Sequence, residues 1–223
     1  NIYHGLPADL LPYNETGGDH LVFLGRISPE KRPDRAIEIA VRSGRRLIMA
    51  AKIDDVDRAY WESEIRPLVE QHEQISFIGE VNEQQKAELL GNAGALLFPI
   101  DWPEPFGLVM IEAMSCGTPV VAWQNGSVRE VMEDGVSGRV VDSMDEAVAA
   151  VDDVLGMDRA KVRSYFEERF TVQRMASDYV RLFEELIDKP RGGEAMPDAR
   201  IPRHTPTPPF ARKPKGLGIA TAA

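Results

Sequence analysis

A chain of 223 residues with 43% apolar content can bury the core of one ordinary domain and still leave a tail. Its net charge of −10 is uneven: from Arg191 onward there are six Lys/Arg against two Asp/Glu, which leaves 20 against 34 before it, and a body that acidic argues against general nucleic-acid binding. The longest apolar stretches, such as Ala95 to Ile100, fall far short of the roughly 20 residues needed to cross a bilayer, so no transmembrane segment is expected.

The lone Cys116 excludes an internal disulfide and a cysteine-based zinc site; it reads as core filler, and a reducing cytoplasm is the expected setting. The chain opens Asn1-Ile2-Tyr3-His4 as though cut from something longer, so a missing upstream partner is expected, and any peripheral membrane attachment is left to that missing half.

Short apolar runs then alternate with amphipathic ones. In chain order the pattern predicts a strand at Leu21 to Leu24, a helix at Pro33 to Arg42, a strand at Leu47 to Ala50 and a helix at Val56 to Gln71. A strand at Ile75 to Ile78, a helix at Glu83 to Asn92, a strand at Ala95 to Phe98 and a helix at Gly107 to Cys116 follow. Next come a strand at Pro119 to Ala122, a helix at Val128 to Glu133, a strand at Gly138 to Val141, and helices over Met144 to Leu155, Arg159 to Glu168 and Val172 to Ile187. Spacings of three and four, as in Val180, Phe183, Leu186 and Ile187, mark the helices. This alternation predicts an α/β fold, a doubly wound, Rossmann-like parallel sheet of about six strands, over residues 1–188. Residues 189–223 turn to Pro, Arg, Gly and Thr without periodicity and are expected to form a disordered tail.

In such a sheet, ligands bind beyond the carboxyl ends of the strands. The first strand runs into Gly25-Arg26-Ile27-Ser28-Pro29-Glu30-Lys31-Arg32-Pro33. Arg26 offers a planar fork for phosphate oxygens and Lys31 a point charge with long reach; the alternative is a solvated loop with surface cations. The fourth strand runs through Asp101-Trp102-Pro103-Glu104-Pro105-Phe106-Gly107 into a helix whose head presents unpaired N–H groups suited to an anion. Glu104 falls in the loop and Glu112 inside the helix. Glu112 lies in the apolar run Leu108 to Met114, where a carboxylate is costly without a partner.

The run from Glu104 to Val121 resembles, almost position for position, the E-x7-E segment of family 4 retaining glycosyltransferases, and Gly25 to Lys31 is similar to that family's G-R-x-x-P-E-K loop. Phe77-Ile78-Gly79, Gly126 to Val131 and Asp134 to Gly138 extend the resemblance over residues 1 to about 188. It implies the nucleotide-sugar-binding half of a GT-B enzyme, which transfers a hexose from a UDP-, GDP- or ADP-sugar with retention once joined to an N-terminal acceptor domain. No metal or other cofactor is implied. By the same resemblance Gly25, Arg26 and Lys31 would meet the diphosphate, Glu112 the ribose, and Glu104 the sugar hydroxyls, with Glu104, Arg26 and Lys31 as the catalytic set. Backbone N–H groups of Phe106, Gly107, Leu108 and Val109 would support sugar and phosphate, and Ile78 would line the base. The chain departs from the pattern at Ala50-Ala51-Lys52-Ile53 and at His4-Gly5, where family members often carry glycines and Asn-Gly.

Three other readings compete. A domain that binds nucleotide sugar without catalysing transfer fits the absence of an acceptor half. A two-carboxylate glycoside hydrolase using Glu104 and Glu112 is disfavoured, because such pairs sit roughly 5 to 9.5 Å apart whereas eight helical residues rise about 12 Å. Asp55-Val56-Asp57 spells a D-x-D, but it opens a helix, where capping and solvation explain it.

Overall fold

The protein is described from a computed structural model over residues 1–188; the tail expected at residues 189–223 lies outside the described residues. Six strands, β1 (Leu21–Arg26), β2 (Leu47–Lys52), β3 (Ile75–Gly79), β4 (Ala95–Phe98), β5 (Val120–Trp123) and β6 (Gly138–Val141), form one sheet in the order β3-β2-β1-β4-β5-β6. Every pairing is parallel. Between the strands run α1 (Pro33–Ser43), α2 (Arg58–Tyr60), α3 (Arg66–Gln71), α4 (Glu83–Asn92), α5 (Leu108–Ser115) and α6 (Val128–Val131), followed by α7 (Met144–Leu155), α8 (Arg159–Arg169) and α9 (Val172–Asp188).

Both faces of the sheet are buried, which is why the strands read as apolar runs rather than as alternation. One face carries Val22, Leu96 and Val120 against Leu90, Met110 and Phe166 of α4, α5 and α8. The other carries Leu21, Met49 and Leu97 against Ile37, Ile39 and Val151 of α1 and α7.

Most element ends lie within a residue or two of the sequence expectation, and three departures have structural consequences. β1 extends through Gly25 and Arg26, which pair with Ala51 and Lys52, so Arg26 stands on a strand end rather than in a loop. α6 stops at Val131 because Met132 is extended. The helix expected at Val56 to Gln71 is a composite: a 3-10 turn at Asp55–Asp57, then α2, a π turn at Trp61–Ile65, and α3. Pro67, near the start of α3, lacks an N–H and would clash with the carbonyl four residues back, and the π turn accommodates it. Asp55 and Asp57 open this segment as expected but cap nothing; Asp55 is solvated and pairs with Arg58 at 3.0 Å.

The N-terminal segment is stitched to the end of α8. Leu6 donates to the Phe170 carbonyl at 2.8 Å and accepts from Val172 at 2.9 Å, and Leu11 is buried. Arg159, at the head of α8, is buried and donates to the carbonyls of Asn14, Gly91, Ala93 and Cys116 and to the Thr118 hydroxyl. α9 contributes no buried residue to this domain, and Val180, Phe183, Leu186 and Ile187 lie exposed along it.

Candidate active site

The strand order reverses between β1 and β4, which pair only at Leu21 with Ala95 and at Val22 with Leu96. Beyond Val22 the two strands part while β1 stays paired to β2 as far as Arg26. A crevice therefore opens at the carboxyl ends of the sheet, at its switch point.

Two loops wall the crevice, and each holds the other in place. Asp101 donates its N–H to the Glu30 carbonyl at 2.8 Å. Arg32 bonds to Asp34 at 2.7 Å and to Asp101 at 3.1 Å. Arg32 is the one non-glycine residue with positive φ among the described residues, at φ 53 immediately before Pro33. A side chain in that region costs about 1–2 kcal/mol, and the Asp34 and Asp101 bonds help hold it there.

Lys31, next to this turn, points its Nζ at Glu104 Oε2 at 2.5 Å, with the two side chains 18% and 13% exposed. The same oxygen accepts from Trp102 Nε1 at 2.9 Å, and Lys31 Nζ lies 5.0 Å from the centroid of the Trp102 ring. Arg26 is more open, near Glu30 at 3.3 Å and Asp54 at 3.6 Å. The hydrogen bond from Lys52 at 2.7 Å, with Arg26 adding to it, lowers the Asp54 carboxyl from its usual value.

Across the crevice, α5 begins at Gly107, whose φ of 78 is left-handed, and no side chain caps the helix. A Cβ at Gly107 would lie 2.6 Å from Met110 Cε and 3.2 Å from the Phe98 ring, so the turn requires glycine. Gly25, Arg26, Lys31, Glu104, Gly107, Leu108 and Val109 line one cleft of about 210 Å³. A larger hollow of about 500 Å³ beside Pro12 to Asn14 and α4 has Glu88 as its only charged lining residue and so offers an anion no cation.

The remaining predicted site residues stand elsewhere. Glu112 is inside α5, paired with Lys86 of α4 at 2.8 Å. Burial works against the Lys86 charge, but hydrogen bonds to Glu112 and Glu83 outweigh it and raise its pKa. Ile78 is half exposed on β3 and is not among the residues lining the cleft. The Phe106 ring packs edge-on against His4 and Phe170, away from the cleft. Ala50 and Ala51 place methyl groups in the core where the family pattern often has glycines.

Sequence reasoning missed Lys86 and Trp102. The signal for Lys86 was a lone cation three and four residues before the buried Leu89 and Leu90. Among the described residues no three His, Cys, Asp or Glu side chains gather as a metal site, and no helix is long and apolar enough to cross a membrane.

A doubly wound parallel sheet with a cleft at its switch point and a helix head facing it defines a Rossmann-like α/β domain. The profile of glycosyl transferases group 1 matches residues 14–170, and the chain belongs to that family. A D-inositol 3-phosphate glycosyltransferase of Mycolicibacterium smegmatis is 33% identical over 128 residues, 56% of this chain and 29% of the relative. The crystal structure of AviGT4, a glycosyltransferase involved in avilamycin A biosynthesis, is 27% identical with a TM-score of 0.70, over 85% of this chain and 58% of that one. The Anabaena protein HepE in complex with UDP and glucose shares the fold at 19% identity with a TM-score of 0.72, over 82% of this chain and 56% of that one. The chain spans less than half the length of the curated relatives it matches.

Proposed function

We propose that the domain binds a nucleoside diphosphate sugar in the cleft at the β1/β4 switch point and, joined to an acceptor-binding domain, transfers the hexose with retention of configuration. The observation that carries this reading is the convergence of Arg26, Lys31, Glu104 and the head of α5 on one cleft. A departing diphosphate accumulates negative charge, and cations fixed beside helix-head amides stabilise it where it develops. Those groups take the place of a protein-held divalent cation. Glu104 reads the sugar hydroxyls, and Glu112, set one turn into α5 and steadied by Lys86, accepts from the ribose. Ile78, at the end of β3, flanks the base. The exposed apolar face of α9 supports a second domain lying against this one.

Titration calorimetry with UDP, GDP and ADP tests the reading. Binding of one of them, weakened about tenfold or more by Arg26→Ala and by Lys31→Ala, is the expected result, since a charge-assisted contact of this kind contributes about 1.5–3 kcal/mol. Absence of binding to all three nucleotides and to their sugar conjugates, or binding indifferent to both substitutions, rejects it.

A further inference from the structure

Lys31 has two prospective partners, and the structure shows one of them already engaged. Its Nζ is ion-paired at 2.5 Å with Glu104, the carboxylate that the proposed function assigns to the sugar. Both contacts of that carboxylate, from Lys31 and from Trp102 Nε1, fall on Oε2, and Oε1 accepts nothing among the described residues. Trp102 thus fixes one oxygen beside Lys31 and leaves the other available. The pair is largely withdrawn from water and the Trp102 ring flanks the ammonium, so its charges are weakly screened.

A diphosphate entering the cleft meets a lysine whose charge is neutralised and a carboxylate that repels it. Donor hydroxyls change that balance: by donating to Glu104 they compensate it for sharing or losing Lys31. A free nucleoside diphosphate has no such hydroxyls, and its terminal phosphate carries an additional ionisable oxygen.

Resting on the proposed function, we infer that Glu104 is an internal competitor for Lys31, held in position by Trp102, through which the domain favours the intact nucleotide sugar over the free nucleoside diphosphate. The device makes one residue serve two steps. While the sugar is attached, Glu104 is occupied by it and Lys31 serves the phosphates. Once the sugar has left, Glu104 recaptures Lys31 and weakens the hold on the product.

Calorimetry on this chain with UDP, GDP and ADP, and with UDP-glucose, GDP-mannose and ADP-glucose, tests this inference. Glu104→Gln keeps the shape and the Trp102 hydrogen bond but removes the competing charge. It is expected to bind the preferred free nucleoside diphosphate about tenfold more tightly than the unmodified chain, about 1.4 kcal/mol, and to gain less for the corresponding nucleotide sugar. In a Lys31→Ala background the same substitution should gain several-fold less, because only the direct repulsion between Glu104 and the diphosphate is then relieved. Trp102→Phe, which keeps a ring but loses the indole N–H, should shift affinity in the same direction by a smaller factor, and it stands in should Glu104→Gln fail to fold. If the unmodified chain binds a nucleoside diphosphate but neither variant binds it more tightly, or if the gain is as large without Lys31, the competition is refuted and the proposed function stands. If the unmodified chain binds none of the six compounds, the proposed function falls and this inference falls with it.

Discussion

Lys86 of α4 and Glu112 of α5 meet at 2.8 Å, each side chain 15% exposed, so a carboxylate inside an apolar helix finds its partner in a cation 26 residues earlier in the chain. The pair joins two helices that cover the same face of the sheet and sets the orientation of Glu112.

Lys86→Met is therefore expected to be destabilising, because it leaves the largely buried Glu112 carboxylate without its partner. Removing one partner of a buried pair costs about 3–5 kcal/mol, and the residual exposure here brings the expectation nearer 2 kcal/mol. Urea midpoints measure it, and adding Glu112→Leu to Lys86→Met should recover most of the loss. The Lys86 pKa is raised from 10.5, so the pair's contribution is complete at neutral pH and disappears only as pH rises through that elevated value. A Lys86→Met chain as stable as the unmodified one would show that water already satisfies Glu112.

Arg159 has no carboxylate partner among the described residues; its guanidinium is spread over four backbone carbonyls and a hydroxyl, and burial lowers its pKa. Those acceptors belong to the N-terminal segment, the end of α4 and the turn after α5, so one fork closes three chain segments. Arg159→Met is expected to cost about 3 kcal/mol or more, through several orphaned carbonyls. Arg159→Lys should rescue little, because a single ammonium cannot reproduce the planar fork. Thermal unfolding of the two variants checks the expectation, and a full rescue by lysine would contradict it.

The sheet was legible from the sequence because both of its faces are buried. Four-residue apolar runs such as Ala95 to Phe98 stand out between amphipathic helices, and their number and sequence positions carry over directly into the strands found. The cleft was partly legible, since Lys31, Glu104 and Gly107 lie in loops whose prolines and glycines announce strand-to-helix turns. Pairings through space were not. Nothing local says that Glu112 takes Lys86 or that Glu104 takes Lys31, because each choice depends on which helix or loop the sheet order sets alongside. Arg159 did carry a hint: a cation at a helix head opposes the macrodipole, so it needs compensation from somewhere else. Gly25-Arg26 has little strand propensity and reads as loop, whereas β2 beside it continues to Lys52 and keeps the ladder going.

Cys116, fully buried at the end of α5, has its thiol pushed by burial from 9.0 up to about 11. Its folded-state value is raised, so the unfolded chain releases the proton first. The associated stability is complete below about pH 9 and declines as pH rises toward 11. A thiol reagent such as DTNB should leave the native protein unmodified at neutral pH and react fully in denaturant. Cys116→Ala should flatten the alkaline loss of stability, at a cavity cost of about 1 kcal/mol. Rapid native labelling at pH 7 would mean that the end of α5 opens far more readily than its packing indicates.

Gly126 carries the loop after β5 directly over Glu104. At φ 55, a Cβ there would lie 2.3 Å from the Glu104 carbonyl oxygen and 2.4 Å from its nitrogen, while Ser127 donates its N–H to that same carbonyl at 2.9 Å. The backbone on either side of the proposed sugar-reading carboxylate is thus clamped by a segment some twenty residues downstream, and no side chain fits between them. Gly126→Ala should push the Glu104 loop outward, weakening nucleotide-sugar binding or transfer by about tenfold or more, since a displacement of about 1 Å at a reacting group is enough for a large loss of rate. Gly44→Ala is the control that separates strain from displacement. Gly44 has a similar left-handed backbone, φ 68, yet nothing lies within 4 Å of its Cβ position, so that variant should cost about 1 kcal/mol of stability and leave binding intact. Equal losses of binding in the two variants would show that left-handed strain alone is felt at the cleft and that the Gly126 clamp does not position Glu104.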